Sequence, residues 1–214
     1  MMEHRRTTGA IFIQGVLPRC GTNFVFNLLR LHPDCGVAEP LWEDWLLEES
    51  HRLIEYARST YGLWARNPGW GVWADLEHEV CQSIGQSLLS FLESRIEAPR
   101  LLTKTPSVFN LPHFFKLFPQ AYLLIVMRDG RAVVESSARS FGWDRDETAR
   151  KWARGADIIR AFDQAHRGQG ARYRIVRYED LFLNLEHEVR DILRFLDLDI
   201  ERYDFQAAWD LPVY

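Results

Sequence analysis

Cysteine is scarce in this chain of 214 residues: Cys20, Cys35 and Cys81 are odd in number, and none has C-x-x-C spacing. That argues against a disulfide framework and against structural zinc. H-E-x-x-H is also missing, and His32, His51, His78 and His113 show no ligand spacing, so they are read as surface or cap residues and no metal site is expected. Long apolar runs are lacking. The stretch 10–17 is eight residues, well short of the ~20 needed to span a bilayer, and no small-residue cleavage site follows it. A cytoplasmic protein without a membrane span is expected. Positive charge is not in excess: Lys+Arg 26 against Asp+Glu 30 gives −4, which speaks against a nucleic-acid partner. Any anion site must therefore be a local gathering of Arg and Lys. There is no internal repeat, low-complexity tract or Gly/Ser linker. A flexible polar N-terminus over 1–9, carrying Arg5 and Arg6, and a single domain over 10–214 are expected. What is present is ordinary globular composition, 47% hydrophobic and 26% charged, with eight Trp. That aromatic content suits a deep core or an aromatic-lined cleft.

Patterning places the elements. Ala10, Ile11, Phe12, Ile13 and Val16 form a short β-rich run punctuated by Gly15, Pro18 and Gly21. It reads as a buried strand entering a loop. Phe24, Leu28 and Leu31 then recur at helical spacing, and Pro33 closes that helix. Residues 41–61 are helix-like, with Glu43, Asp44, Glu48 and Glu49 as a solvated face; Trp42, Trp45 and, just beyond, Trp64 are read as packing residues. An irregular stretch over 61–73 follows, then a helix over 75–94. Residues 101–102 read as a strand, 107–118 as a helix with an interior Pro112, and 121–127 as a strand covered on both faces. Helices over 129–140, 146–166 and 184–196 and a strand over 173–176 complete the order. The expected fold class is α/β, a three-layer, mostly parallel central sheet flanked by helices. Ligands bind beyond the carboxyl ends of strands in such sheets, so the loops after the strands should share one cleft.

Three of those loops carry suitable chemistry. In Leu17-Pro18-Arg19-Cys20-Gly21-Thr22-Asn23, outward N–H groups and the dipole of the following helix favour an anion. Gly21 permits close approach, Thr22 adds a hydroxyl and Arg19 adds charge. It is a kinase-like phosphate-binding loop but not a Walker A loop, because no Lys precedes Thr22. Arg128 stands just after the strongest strand, with Ser136 about two turns into the next helix. The guanidinium fork of Arg128 suits phosphate oxygens. Lys104 follows the strand at 101–102 and is placed to reach the same cleft.

Together these residues resemble the sulfotransferases that use 3′-phosphoadenosine 5′-phosphosulfate (PAPS) and release adenosine 3′,5′-bisphosphate (PAP). Arg19-Cys20-Gly21-Thr22-Asn23-Phe24 resembles that family's 5′-phosphosulfate loop. Arg128 with Ser136 is similar to its 3′-phosphate pair, and Tyr178-Glu179-Asp180 to the segment whose Tyr lies near adenine. His32-Pro33-Asp34, Lys104-x-Pro106 and Arg128-Asp129-Gly130-Arg131-Ala132 resemble tyrosylprotein sulfotransferases and their bacterial relatives. The resemblance implies a catalytic set of Arg19, Glu39 and Lys104. It implies nucleotide contacts from Arg19, Cys20, Gly21, Thr22, Asn23, Phe24, Arg128, Ser136 and Tyr178, and no metal. The implied partners are the nucleotide donor and an acceptor hydroxyl or amine, with residues 41–100 as a helical insertion forming part of the acceptor cleft. Cys20 replaces the family's usual Ser and Asn23 its second Thr. The family's later basic, glycine-containing loop has no counterpart in 200–214, where Arg202 is the only basic residue. Two other functions fit part of the pattern: a P-loop-type nucleotide kinase or other phosphotransferase, and a non-catalytic nucleotide-binding protein on the same fold.

Overall fold

The computed structural model describes residues 9–67, 69 and 76–212. The expected flexible N-terminus therefore lies, apart from Gly9, outside the described residues, as do 68 and 70–73 of the stretch expected to be irregular; its first residues, 61–64, are instead the last turn of a helix. Five parallel strands form the centre: β1 (Ile11–Gly15), β2 (Cys35–Gly36), β3 (Arg100–Thr105), β4 (Tyr122–Met127) and β5 (Tyr173–Arg177). Their order is β2-β3-β1-β4-β5. β1 is central, with Ile13 registered against Lys104 on one side and Leu124 on the other. Every residue of β1 is buried and all but the last of β4, as expected where helices cover both faces of a parallel sheet. The chain leaves β1 for one edge, returns at β3 and then crosses to β4 on β1's other flank. That reversal opens a crevice at the carboxyl ends of the three central strands.

Helices α1 (Thr22–Arg30), α2 (Ser50–Trp64), α3 (Leu76–Glu93), α4 (Phe114–Leu117), α5 (Gly130–Phe141), α6 (Arg145–His166), α7 (Tyr178–Leu183), α8 (Leu185–Phe195) and α9 (Phe205–Trp209) surround the sheet. α1 buries Phe24, Val25, Phe26, Leu28 and Leu29, and Phe12 of β1 meets the rings of Phe114 and Phe118. α5 and α6 begin at Asp129 and Asp144, whose carboxylates accept backbone N–H bonds from Arg131 and Glu147. Each satisfies a donor that a helix start leaves unpaired. Gly155 lets α6 close on the sheet: a Cβ there would lie 2.9 Å from the Val16 carbonyl oxygen. Among the described residues no helix is long and apolar enough to cross a membrane.

Two expected helices are shortened. The helix-like stretch 41–61 is helical only from Ser50, because residues 41–49 fold into turns tied to β3. The Asp44 carboxylate accepts the Leu46 N–H, a local bond that competes with the helical ladder. The helix expected over 107–118 is a 3₁₀ turn at Leu111–His113 and the four-residue α4. Pro112 lacks the N–H an α-helix interior needs, and Asn110 sits in the left-handed region with φ 60°. β2, α7 and α9 appear where no element was expected.

Candidate active site

The loop between β1 and α1 sits at the crevice. Its backbone is forced into unusual conformations: Arg19 has φ +72° and Gly21 φ +105°. A left-handed arginine is costly and persists only where its surroundings over-determine it. At Gly21 the requirement is also steric, since a Cβ would stand 2.2 Å from the Tyr178 ring. α1 starts at Thr22 with no side-chain cap and no acidic residue in its first turn. Its positive end therefore faces the crevice uncompensated.

A cavity of about 630 Å³ opens over this helix end, a volume ordinary for small-ligand sites. The loop and α1 contribute Arg19, Gly21, Thr22, Asn23, Phe24, Phe26 and Asn27 to its wall. The segment after β2 contributes Trp42 and Glu43, the end of β3 Lys104 and Pro106, the end of α5 Phe141, and α7 Tyr178. Lys104 is buried, its Nζ donating to Glu43 Oε1 at 2.8 Å and lying 5.7 Å from the Phe26 ring centre. Beside the cavity, Arg19 Nε donates to Ser136 Oγ at 3.0 Å, and Arg128 donates from NH1 to the Arg19 carbonyl at 3.1 Å. The Arg128 guanidinium carbon stands 4.5 Å from the centre of the Tyr178 ring, within cation–π range. The Tyr178 ring in turn meets Phe24 edge-on at 5.9 Å. Arg19, Arg128, Ser136 and Tyr178 thus form one cluster, although Ser136 bonds Arg19 rather than Arg128 here. Trp152 Nε1 holds the Arg128 carbonyl and the Glu179 carboxylate accepts the Asp129 N–H, fixing the turn after β4.

Of the site residues read from the sequence, Arg19, Gly21, Thr22, Asn23, Phe24, Lys104 and Tyr178 line the cavity, and Arg128 and Ser136 join through Arg19. Two are not brought in. Cys20 is fully buried, its N–H goes to the Leu17 carbonyl, and burial pushes its thiol up to about 11. Glu39 is exposed and is not among the lining residues.

Of the acidic run expected to be a solvated face, Glu49 is exposed but the other three are engaged. Glu43 pairs with Lys104, Asp44 accepts the Thr103 hydroxyl at 2.8 Å, and Glu48 accepts the Ser107 hydroxyl at 3.0 Å. Trp42, expected to pack helices, lines the cavity and is 54% exposed. His32 is buried rather than at the surface: its Nδ1 accepts the Asp34 N–H and its Nε2 lies 3.0 Å from the Asp199 carbonyl. Sequence reasoning thus missed Glu43 and Trp42. Their one signal was their place inside the insertion 41–100 expected to form part of the acceptor cleft. Among the described residues no three His, Cys, Asp or Glu side chains are grouped to hold a metal ion.

Comparison with known proteins fits this geometry. A family profile described as "Sulfotransferase family" matches residues 10–202. The chain is 32% identical over 208 residues to a protein-tyrosine sulfotransferase of Drosophila melanogaster, covering 92% of this chain and 39% of that protein. It is 30% identical over 203 residues to protein-tyrosine sulfotransferase A of Caenorhabditis elegans, covering 91% of this chain and 51% of the relative. The chain therefore spans about half, or less, of the length of these relatives. Among solved structures, the sulfotransferase domain of the Synechococcus PCC 7002 olefin synthase superposes with a TM-score of 0.59 at 21% identity, over 99% of this chain and 82% of that one. The sulfotransferase domain of the curacin biosynthetic pathway gives 0.58 at 22% identity, over 91% and 76%. These two likenesses establish the α/β fold with its parallel central sheet.

Proposed function

The chain belongs to the sulfotransferase family, and from that premise we propose that it moves a sulfuryl group from PAPS to an acceptor hydroxyl or amine, releasing PAP. The observation that supports this best is one crevice holding an uncapped helix start, Arg19 and Lys104, with Arg128 and Ser136 hydrogen-bonded into the same wall. A nucleotide with anionic groups at both its 5′ and 3′ positions fits that distribution of donors.

In this reading the first-turn N–H groups of α1 and the Thr22 hydroxyl hold the 5′-phosphate. Arg128, with Ser136, holds the 3′-phosphate. Phe24 and Tyr178 are the aromatic contacts for adenine. Sulfuryl transfer resembles phosphoryl transfer, where positioning and charge stabilisation provide most of the catalysis. Arg19 and Lys104 are assigned to the charge that grows on the leaving bridge oxygen and the sulfuryl oxygens. Such donors act strongly because they are fixed before reaction and sit in a partly dry site.

A kinase-type phosphotransferase is the rival, and thermal denaturation with added nucleotide separates the two. PAP at a hundred times its dissociation constant should stabilise by about 2.7 kcal/mol, a rise of about 5–10 °C for a chain of this size. ATP with magnesium at the same concentration should give less. A larger shift with ATP and magnesium would overturn the assignment.

A further inference from the structure

We infer that Glu43, not Glu39, takes the acceptor's proton, and that it is freed to do so when the donor's sulfuryl oxygens replace it on Lys104. The inference rests on the sulfuryl-transfer reading. Glu43 is the one carboxylate among the described residues lining the cavity. It contacts Lys104, whose side chain is 6% exposed while its own is 31% exposed. Lys104 is the cation assigned to the sulfuryl group, so a carboxylate 2.8 Å from its Nζ stands beside the place an acceptor oxygen must occupy.

That position is built rather than incidental. The residue after Glu43 is tied to β3 by main chain and side chain: the Asp44 N–H donates to the Lys104 carbonyl at 3.2 Å, and the Thr103 hydroxyl donates to Asp44 Oδ2. The Trp45 N–H then donates to Thr105 Oγ1 at 3.1 Å. These bonds fold the strap 41–49 over the end of β3 and hold Glu43 at the cavity wall. The adjacent Trp42 offers an acceptor a flat apolar surface. Glu39 precedes the strap, is exposed and has no place in the wall.

While paired, the Glu43 carboxylate is engaged by the Lys104 ammonium at 2.8 Å. Sulfuryl oxygens arriving at Nζ compete for the same ammonium and release it. In the transfer the acceptor oxygen forms a bond to sulfur, and the bond from sulfur to the bridging oxygen breaks. That electron pair leaves on the 5′-phosphate of PAP. The acceptor's proton passes to the Glu43 carboxylate, which returns it to water after the products leave.

The test compares wild type with Glu43→Gln and Glu39→Gln. PAP affinity is measured first by calorimetry. A wild type that binds no PAP refutes the sulfuryl-transfer reading itself, separately from the role of Glu43. Turnover of PAPS is then measured at mildly alkaline pH with para-cresol, which keeps its proton there, and with para-nitrophenol, which has largely lost it. Slow donor hydrolysis, with water as acceptor, is measured alongside. Gln keeps an oxygen that accepts from Lys104, so the strap and the fold are retained. Glu43→Gln should bind PAP within about threefold of wild type, the pair being partly exposed. It should lose about a hundredfold or more of its kcat on para-cresol, far less on para-nitrophenol, and slow the hydrolysis. Equal losses on both phenols would mark a structural role and overturn the inference. So would para-cresol turnover within a few-fold of wild type, or a para-cresol-specific loss in Glu39→Gln instead.

Discussion

Replacing Gly21 with Ala tests whether the β1–α1 loop is shaped for a ligand or is an ordinary turn. Gly21 has φ +105° and ψ 10°, and an added Cβ would stand 2.2 Å from Tyr178 Cδ2 and 2.8 Å from Cε2. The backbone alone should cost about 1–3 kcal/mol. The clash cannot be relieved cheaply, because Tyr178 is 6% exposed and packed against Phe24 and Arg128. A total near 2 kcal/mol would lower the melting temperature by about 4–8 °C. Displacing Tyr178 also disturbs the Arg128 guanidinium stacked on it, so PAP affinity should fall at least about tenfold, or ~1.4 kcal/mol. Urea unfolding and calorimetry read the two effects. Repeating the substitution in a Tyr178→Leu background removes the ring, and Gly21→Ala should then cost about 1 kcal/mol less. Destabilisation under about 0.5 kcal/mol, the level of an ordinary surface change, with unchanged PAP affinity would refute this reasoning.

Three further outcomes are expected. Arg128→Ala should raise the PAP dissociation constant by about ten- to a hundredfold, the loss of a charged hydrogen-bond donor, while AMP affinity measured by the same calorimetry changes little. Arg19→Ala should lower kcat for sulfuryl transfer on the order of a hundredfold, and a rate within a few-fold of wild type would remove Arg19 from the chemistry. Asp44 gives a pH signature. Burial holds its carboxyl above the usual carboxylate range, against the lowering bonds from the Leu46 N–H and the Thr103 and Thr105 hydroxyls. The folded state therefore binds the proton more tightly than the unfolded chain, whose carboxyl titrates near about 3.9. Above that pH, unfolding releases a proton and stability falls as pH rises towards the folded value. Asp44→Asn should remove that fall, so urea unfolding across pH should show the wild type losing ground to the variant from about pH 4 upward. A difference that is flat, or of opposite sign, would contradict the burial argument.

The framework of the fold was legible because its signals are local. The apolar runs behind β1 and β4 admit few alternatives to a covered strand, and Leu185, Val189 and Ile192 mark the buried side of α8. The loop between β1 and α1 was legible too, since Gly21, Thr22 and the following helix are contiguous. The strap 41–49 was not. Glu43, Asp44 and Glu48 read as a solvated helical face, and only their long-range bonds to Lys104, Thr103 and Ser107 draw them onto β3. A motif position such as Glu39 likewise carries no signal of a segment folding back several residues later. α7 is six residues long, less than two full turns, and so shows no periodicity to read.

The central claim is that one crevice grips both anionic ends of a single nucleotide, and calorimetric titration of the wild type with PAP and with AMP tests it most directly. The two ligands differ by the 3′-phosphate assigned to Arg128 and Ser136. PAP should bind at least about tenfold more tightly, the equivalent of ~1.4 kcal/mol from one charged group. Equal affinities would mean that this cluster does not grip a 3′-phosphate.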